Sequence, residues 1–284
     1  LIQDQHFSIN PNSLLFKVLD LRHFVVFYFF LLSGYVLKRS LKNQSAGVGW
    51  FKSRLIRLYP VYFVCWLGPY LGLRILGSSE IQITNSGAFL GFFGLQGWSS
   101  RHALDGPNTP LWSLSVEFGL SLFFIFFSRI ANTKLLLLIT IGTYLLSINF
   151  HLVPVLTGLP FFLLGIYLYQ HQTSLTKISQ HEPAAYFLMA STFISIYLIF
   201  ISPLDASFSL REYFGLMCAG LILICFLIFP VPEKLWGLCH YIGSRSFSLY
   251  ACHAPVLWLF KRVVFGPVSG KIIQPAGFLY FLGG

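Results

Sequence analysis

"TPLWSLSVEFGLSLFFIFF", residues 109–127, is an apolar run that holds one carboxylate, Glu117. A charged side chain at the centre of a membrane helix costs roughly 2.5–3.5 kcal/mol on insertion scales. Such a residue has to face a bundle interior or a wet cavity rather than lipid. Ser113, Glu117 and Ser121 are spaced by four, so on a helix they form one polar stripe. Pro110 and Trp112 mark the start of that helix, and seven residues at ~1.5 Å each place Glu117 about 10 Å along it. The stripe predicts a general acid/base, or a carboxylate that orients one. The alternative is a structural acid that pairs with an Arg or His elsewhere.

The rest of the chain has the same character. Of 284 residues, 56% are hydrophobic and 10% charged, against about 25% charged in ordinary globular domains. Apolar stretches of membrane length recur at 23–38, 58–76, 110–128, 134–150, 153–170, 184–202, 213–230, 246–265 and 275–284. This predicts an all-α fold, a polytopic transmembrane helical bundle of about nine spans, with the lipid bilayer as a partner. The short alternating segments of a β-barrel are missing. The stretch 86–98 is too short to cross and is expected to be re-entrant or interfacial. The net charge of +10 is read as basic loops retained in the cytoplasm, not as a nucleic-acid surface. Lys38, Arg39, Lys42, Lys52, Arg54 and Arg57 form the densest cluster. Their loop is expected inside, with 1–22, 77–109 and 203–212 outside. The five cysteines form no CxxC pair and read as small buried hydrophobes. No metal motif is present.

Three further stretches carry candidate chemistry. In "FKSRLIRLYPVY", 51–62, Arg54 and Arg57 stand three apart, so on a helix they share a face and could clamp a phosphate. The alternative is a basic anchor at a helix end. In "SFSLYACHAPVLWLF", 246–260, His253 lies inside an apolar run one turn after Tyr250. It could carry protons or serve as a helix-packing hydrogen bonder. In "GPNTPLWS", 106–113, Asn108 or Thr109 is expected to cap the Glu117 helix. Ser33-Gly34, in "LRHFVVFYFFLLSGYVL" at 21–37, is a small pair of the kind that allows close helix packing.

Taken together these stretches resemble the acyltransferase-3 family of membrane O-acyltransferases. The carriers are "FYFFLLSGYVL", "RLIRLYP", "NTPLWSLSVE" and "SFSLYACHAP", four motifs in family order between residues 21 and 260. The resemblance implies one acyltransferase domain over 1–284, ten spans in its full form, multi-pass in a cell membrane, a bacterial inner membrane in the usual case. It implies transfer of an acyl group, usually acetyl, from cytoplasmic acyl-CoA to a hydroxyl of a sugar or cell-surface glycan, with no bound cofactor. By that analogy Arg54 and Arg57 hold the donor's phosphates and Glu117 belongs to the reaction centre. His253 lies near it, and Asn108, Trp112, Ser113, Ser115 and Tyr250 support it. The family's first span carries an Arg and, about eleven residues on, a His favoured as base. "LRHF" at 21–24 belongs to the second span, so the chain is expected to be truncated at its N-terminus, and at its C-terminus too. Competing classes are a transporter or permease and a non-catalytic export component; internal duplication, common in transporters, is not evident.

Overall fold

The computed structural model describes residues 22–41, 47–75, 84–100, 106–130, 132–149, 153–179, 186, 190–194, 220–225 and 233–265. Helix α1 is Arg22–Leu41, α2 is Val48–Ile75 and α3 is Asn85–Phe92, followed by a 3-10 turn at Gln96–Trp98. Then come α4, Leu111–Phe127, α5, Thr133–Asn149, α6, Pro154–Gln170, α7, Gln172–Ser179, and α8, Glu233–Phe265. Among the described residues every regular element is helical. The expected spans at 184–202 and 213–230 are described only in part, as helical pieces at 190–194 and 220–225, and 275–284 lies outside the described residues.

Helix α6 is central. It packs most extensively on α1, then on α5 and α4, while α2 lies against α4 and α8 against α2. Phe30, Leu31, Val116, Leu120, Phe124, Phe162, Leu163 and Ile166 form the shared core of α1, α4 and α6. Two glycines set the closeness of the α1–α6 crossing. A Cβ on Gly34 would run into the Phe162 carbonyl, and one on Gly165 into the Leu31 carbonyl with the Tyr35 amide at 2.8 Å. Backbone meets backbone there, so no side chain can move aside. The small pair at Ser33-Gly34 thus has the packing role its composition suggested. Gly165→Ala is expected to cost about 1–3 kcal/mol, the usual range for overpacking, read as a lower melting midpoint in detergent. An unchanged midpoint would show that the crossing is looser than it stands.

The all-helical expectation holds among the described residues, while the nine membrane spans are not confirmed there. Among the described residues no helix is long and apolar enough to cross a membrane. Helices α4, α5 and α6 have 17 residues each, about 25 Å at 1.5 Å per residue, a little short of a hydrocarbon core of roughly 30 Å. The longer helices carry charge: Lys52, Arg54, Arg57 and Arg74 in α2, and Glu233, Lys234, Arg245, Lys261 and Arg262 in α8. The stretch 86–98 is a helix of 8 residues and a 3-10 turn. It packs on α2 and on the face of α4.

Candidate active site

The start of α4 is built without a side-chain cap. Its N-cap is Pro110, and no side chain bonds there. The N–H groups of Leu111, Trp112 and Ser113 instead donate to the carbonyls of Asn108, Thr109 and Pro110 at 3.1, 3.1 and 3.3 Å. This tight turn satisfies donors that a cap would have taken, so the expected capping by Asn108 or Thr109 is corrected. Both side chains are buried. The Asn108 amide is used elsewhere: Nδ2 donates to the Cys65 carbonyl of α2 at 3.0 Å and to the Ala251 carbonyl of α8 at 2.9 Å. At the other end of α4, Lys38 Nζ donates to the Ser128 carbonyl at 2.5 Å. A cation there complements the helix dipole.

Two turns into α4 lies the charged node. Glu117 is only 2% exposed, at the junction of three helices. Its Oε1 accepts from Ser33 Oγ of α1 and from Arg54 Nη2 of α2, the latter an ion pair. Arg54 Nε donates to Ser121 Oγ at 2.8 Å, and Ser121 Oγ donates back to the Glu117 carbonyl at 2.7 Å. The guanidinium thus straddles one turn of α4. The Trp50 ring stands 6.0 Å from Arg54 Cζ and leans on Phe124, closing the node from the start of α2. All the bonding falls on Oε1. The second oxygen, Oε2, is buried and accepts no hydrogen bond among the described residues. A buried charge is tolerable when paired, and Arg54 supplies the pair. What remains is a carboxylate fixed by two donors on one oxygen with an open acceptor on the other.

The stripe continues toward the start of α4. Ser113 Oγ lies 2.7 Å from Tyr250 Oη of α8, and Tyr250 Oη donates to the Pro110 carbonyl at 3.1 Å. Ser113, Glu117 and Ser121 therefore face three different partners from one side of α4, as their spacing of four required. Ser115 points the other way: its Oγ donates to the Gly94 carbonyl at 2.7 Å and accepts from the Gly97 amide at 2.8 Å. A Cβ at Gly97 would meet the Val116 backbone nitrogen at 2.9 Å, so glycine lets the 3-10 turn lie directly on α4. Trp112 is half-buried, edge-on to Phe30.

His253 makes its hydrogen bond within its own helix. Its Nδ1 lies 2.5 Å from the Tyr250 carbonyl one turn back, and since a carbonyl only accepts, Nδ1 is the donor. Among the described residues no hydrogen bond joins His253 to Glu117; Tyr250 is the side chain of α8 that reaches α4. The two arginines also part company. Arg54 is 13% exposed and engaged on α4, while Arg57 is exposed. No group of His, Cys, Asp and Glu among the described residues is placed to hold a metal.

Residues 1–284 match the acyltransferase domain of the acyltransferase-3 family. The chain belongs to that family. It is 29% identical over 136 residues to acyltransferase MdmB of Streptomyces mycarofaciens, a stretch that covers 46% of this chain and 35% of that protein. No solved structure matches it. The four motifs read from the sequence therefore sit in an acyltransferase-3 domain. Two partners of the buried acid were missed from sequence. Ser33 and Arg54 lie 84 and 63 residues from Glu117, and no local pattern links them. The available signal was physical and partial: a lone acid in an apolar helix needs a cation, but nothing in the sequence singles out Arg54 from Arg57 and Arg74 of the same helix.

Proposed function

We propose that this chain transfers an acyl group, acetyl in the usual case, from cytoplasmic acyl-CoA to a hydroxyl of a sugar or cell-surface glycan. The observation that carries the reading is the Glu117 node: a buried carboxylate with Oε1 held by Arg54 and Ser33 and Oε2 open. Attack on a thioester requires removal of the hydroxyl proton and stabilisation of a tetrahedral oxyanion. The thioester is already activated, so the chemistry needs no metal. Oε2 takes or shares that proton, directly or through a histidine base of the kind the family resemblance implies.

The domain is proposed to lie in a membrane. Large apolar side chains point outward along the bundle, among them Val25, Leu32 and Val36 of α1, Phe126 of α4, Leu138 and Leu145 of α5, and Leu249, Val256 and Phe260 of α8. The polar residues of α4 point inward. Apolar outside with charge inside suits lipid as the solvent. Arg57 is proposed as the contact for the donor's phosphates, since Nε and Nη2 of Arg54 are engaged on Ser121 and Glu117 while Arg57 is exposed. The expected two-arginine clamp becomes a division of labour: Arg57 for the donor, Arg54 for the carboxylate.

The test is transfer of labelled acetyl from acetyl-CoA to the polysaccharide fraction in vesicles that carry the full-length protein. Label is expected there, and its absence would overturn the reading. Arg57→Ala should weaken CoA binding about tenfold or more, given about 1.5–3 kcal/mol for a charged hydrogen bond. Unchanged affinity would remove Arg57 from the donor site.

A further inference from the structure

We infer that Asn108 is a positioning residue, the shared partner of two helix carbonyls left open by prolines. In an α-helix the carbonyl of residue i accepts from the N–H of residue i+4. Proline has no N–H. Pro69 lies inside α2 and Pro255 inside α8. Four residues back from each stand Cys65 and Ala251. Those are the two carbonyls to which Asn108 Nδ2 donates, at 3.0 and 2.9 Å. A side-chain amide nitrogen carries two hydrogens, one for each orphan. Both partners are obligate acceptors, so the orientation of the amide is settled by them. Glutamine, the other uncharged side chain with two donors on one atom, is longer by a methylene.

The joint is tight and well placed. Cys65 Sγ and Cys252 Sγ touch at 3.3 Å beside it, and Ala251 is fully buried. Residue 108 leads directly into α4, so one side chain ties the start of the Glu117 helix to α2, which carries Arg54, and to α8. Tyr250 immediately precedes Ala251. The bond to the Ala251 carbonyl therefore sets the register at which Tyr250 Oη reaches Ser113 and the Pro110 carbonyl. The prolines create the need, and Asn108 turns it into a three-helix lock. The effect on activity rests on the acyl transfer proposed above; the lock itself does not.

The experiment is a mutant cycle on full-length protein in detergent. Asn108→Leu, which is similar in size and donates nothing, is expected to lower the melting midpoint by roughly 5 °C or more. With Pro69→Ala and Pro255→Ala in place, backbone N–H groups return to both carbonyls, and the same change should cost less than half as much. If Asn108→Leu alone fails to fold, recovery of folded protein in the alanine background is the same result. An equal loss in both backgrounds overturns the inference, as does failure of the proline variants to fold with Asn108 intact. The triple variant should also transfer acetyl about tenfold or more slowly than wild type despite its recovered midpoint, because without the bond from residue 108 to the Ala251 carbonyl nothing fixes Tyr250 against Ser113. Full recovery of transfer together with stability would make Asn108 structural only. A wild-type protein without transfer would sink the proposed function, and the stability cycle would still decide the lock.

Discussion

Arg54→Ala is expected to lower stability by about 3–5 kcal/mol, the usual cost of removing one partner from a buried ion pair. The size follows from what is left behind. Glu117 is 2% exposed, and without Arg54 its side-chain donor among the described residues is Ser33. Ser121 loses a donor as well. Arg54→Lys should recover part of the loss, since it returns the charge but cannot serve Ser121 and Glu117 with separate nitrogens. Arg54→Met combined with Glu117→Gln should be markedly more stable than Arg54→Ala, because the stranded charge is gone. The measurement is the melting midpoint of each variant in one detergent. A wild-type midpoint for Arg54→Ala would mean that the carboxylate is not held by this pair. The same logic separates Arg54 from Arg57. Loss of the exposed Arg57 should leave the midpoint near wild type, so a binding defect there is a donor effect and not a folding one.

The apolar runs located most helices because burial and hydropathy agree along them. The expected 110–128, 134–150 and 153–170 stand as Leu111–Phe127, Thr133–Asn149 and Pro154–Gln170. The runs at 58–76 and 246–265 lie in helices that begin ten and more residues earlier, at Val48 and Glu233. Lys52, Arg54 and Arg57, and Lys234 and Arg245, end an apolar run without ending a helix. A helix needs only satisfied backbone groups, and charged side chains do not disturb those. This extension decides the site. It carries Arg54 down the side of α4 to Glu117 rather than leaving it in a loop at the far end. Spacing within α4 was legible because Ser113, Glu117 and Ser121 are local to one element. Their partners were not, since Ser33, Arg54 and Tyr250 come from three other helices. Asn108 was read as a cap for the same reason: its near neighbours are visible in sequence, and the proline-freed carbonyls of α2 and α8 are not.

Glu117→Gln keeps the shape of the side chain and removes its charge. The amide can still accept from Ser33 and Arg54 through its oxygen, so the protein should fold, with a loss smaller than that of Arg54→Ala. Its nitrogen would take the place of Oε2 and present hydrogens where the carboxylate presents a lone pair. A group that has to accept a proton, or orient a base by accepting its N–H, then fails at that atom. Acyl transfer is expected to fall about 10²-fold or more, the lower range for loss of a general acid/base. Acyl-CoA affinity should change far less, since the proposed phosphate contact, Arg57, is a separate side chain. Loss of the acid's charge gives a second signature: the Arg54 charge is no longer neutralised and can attract the polyanionic donor, so CoA should bind as well as before or slightly better. The assay is acetyl transfer to glycan in vesicles, beside CoA binding and the melting midpoint of the same preparation. Normal transfer by Glu117→Gln would show that the carboxylate takes no part in the reaction. A fall in midpoint as large as that of Arg54→Ala, with no folded protein left to assay, would assign Glu117 to the bundle's stability and not to its chemistry.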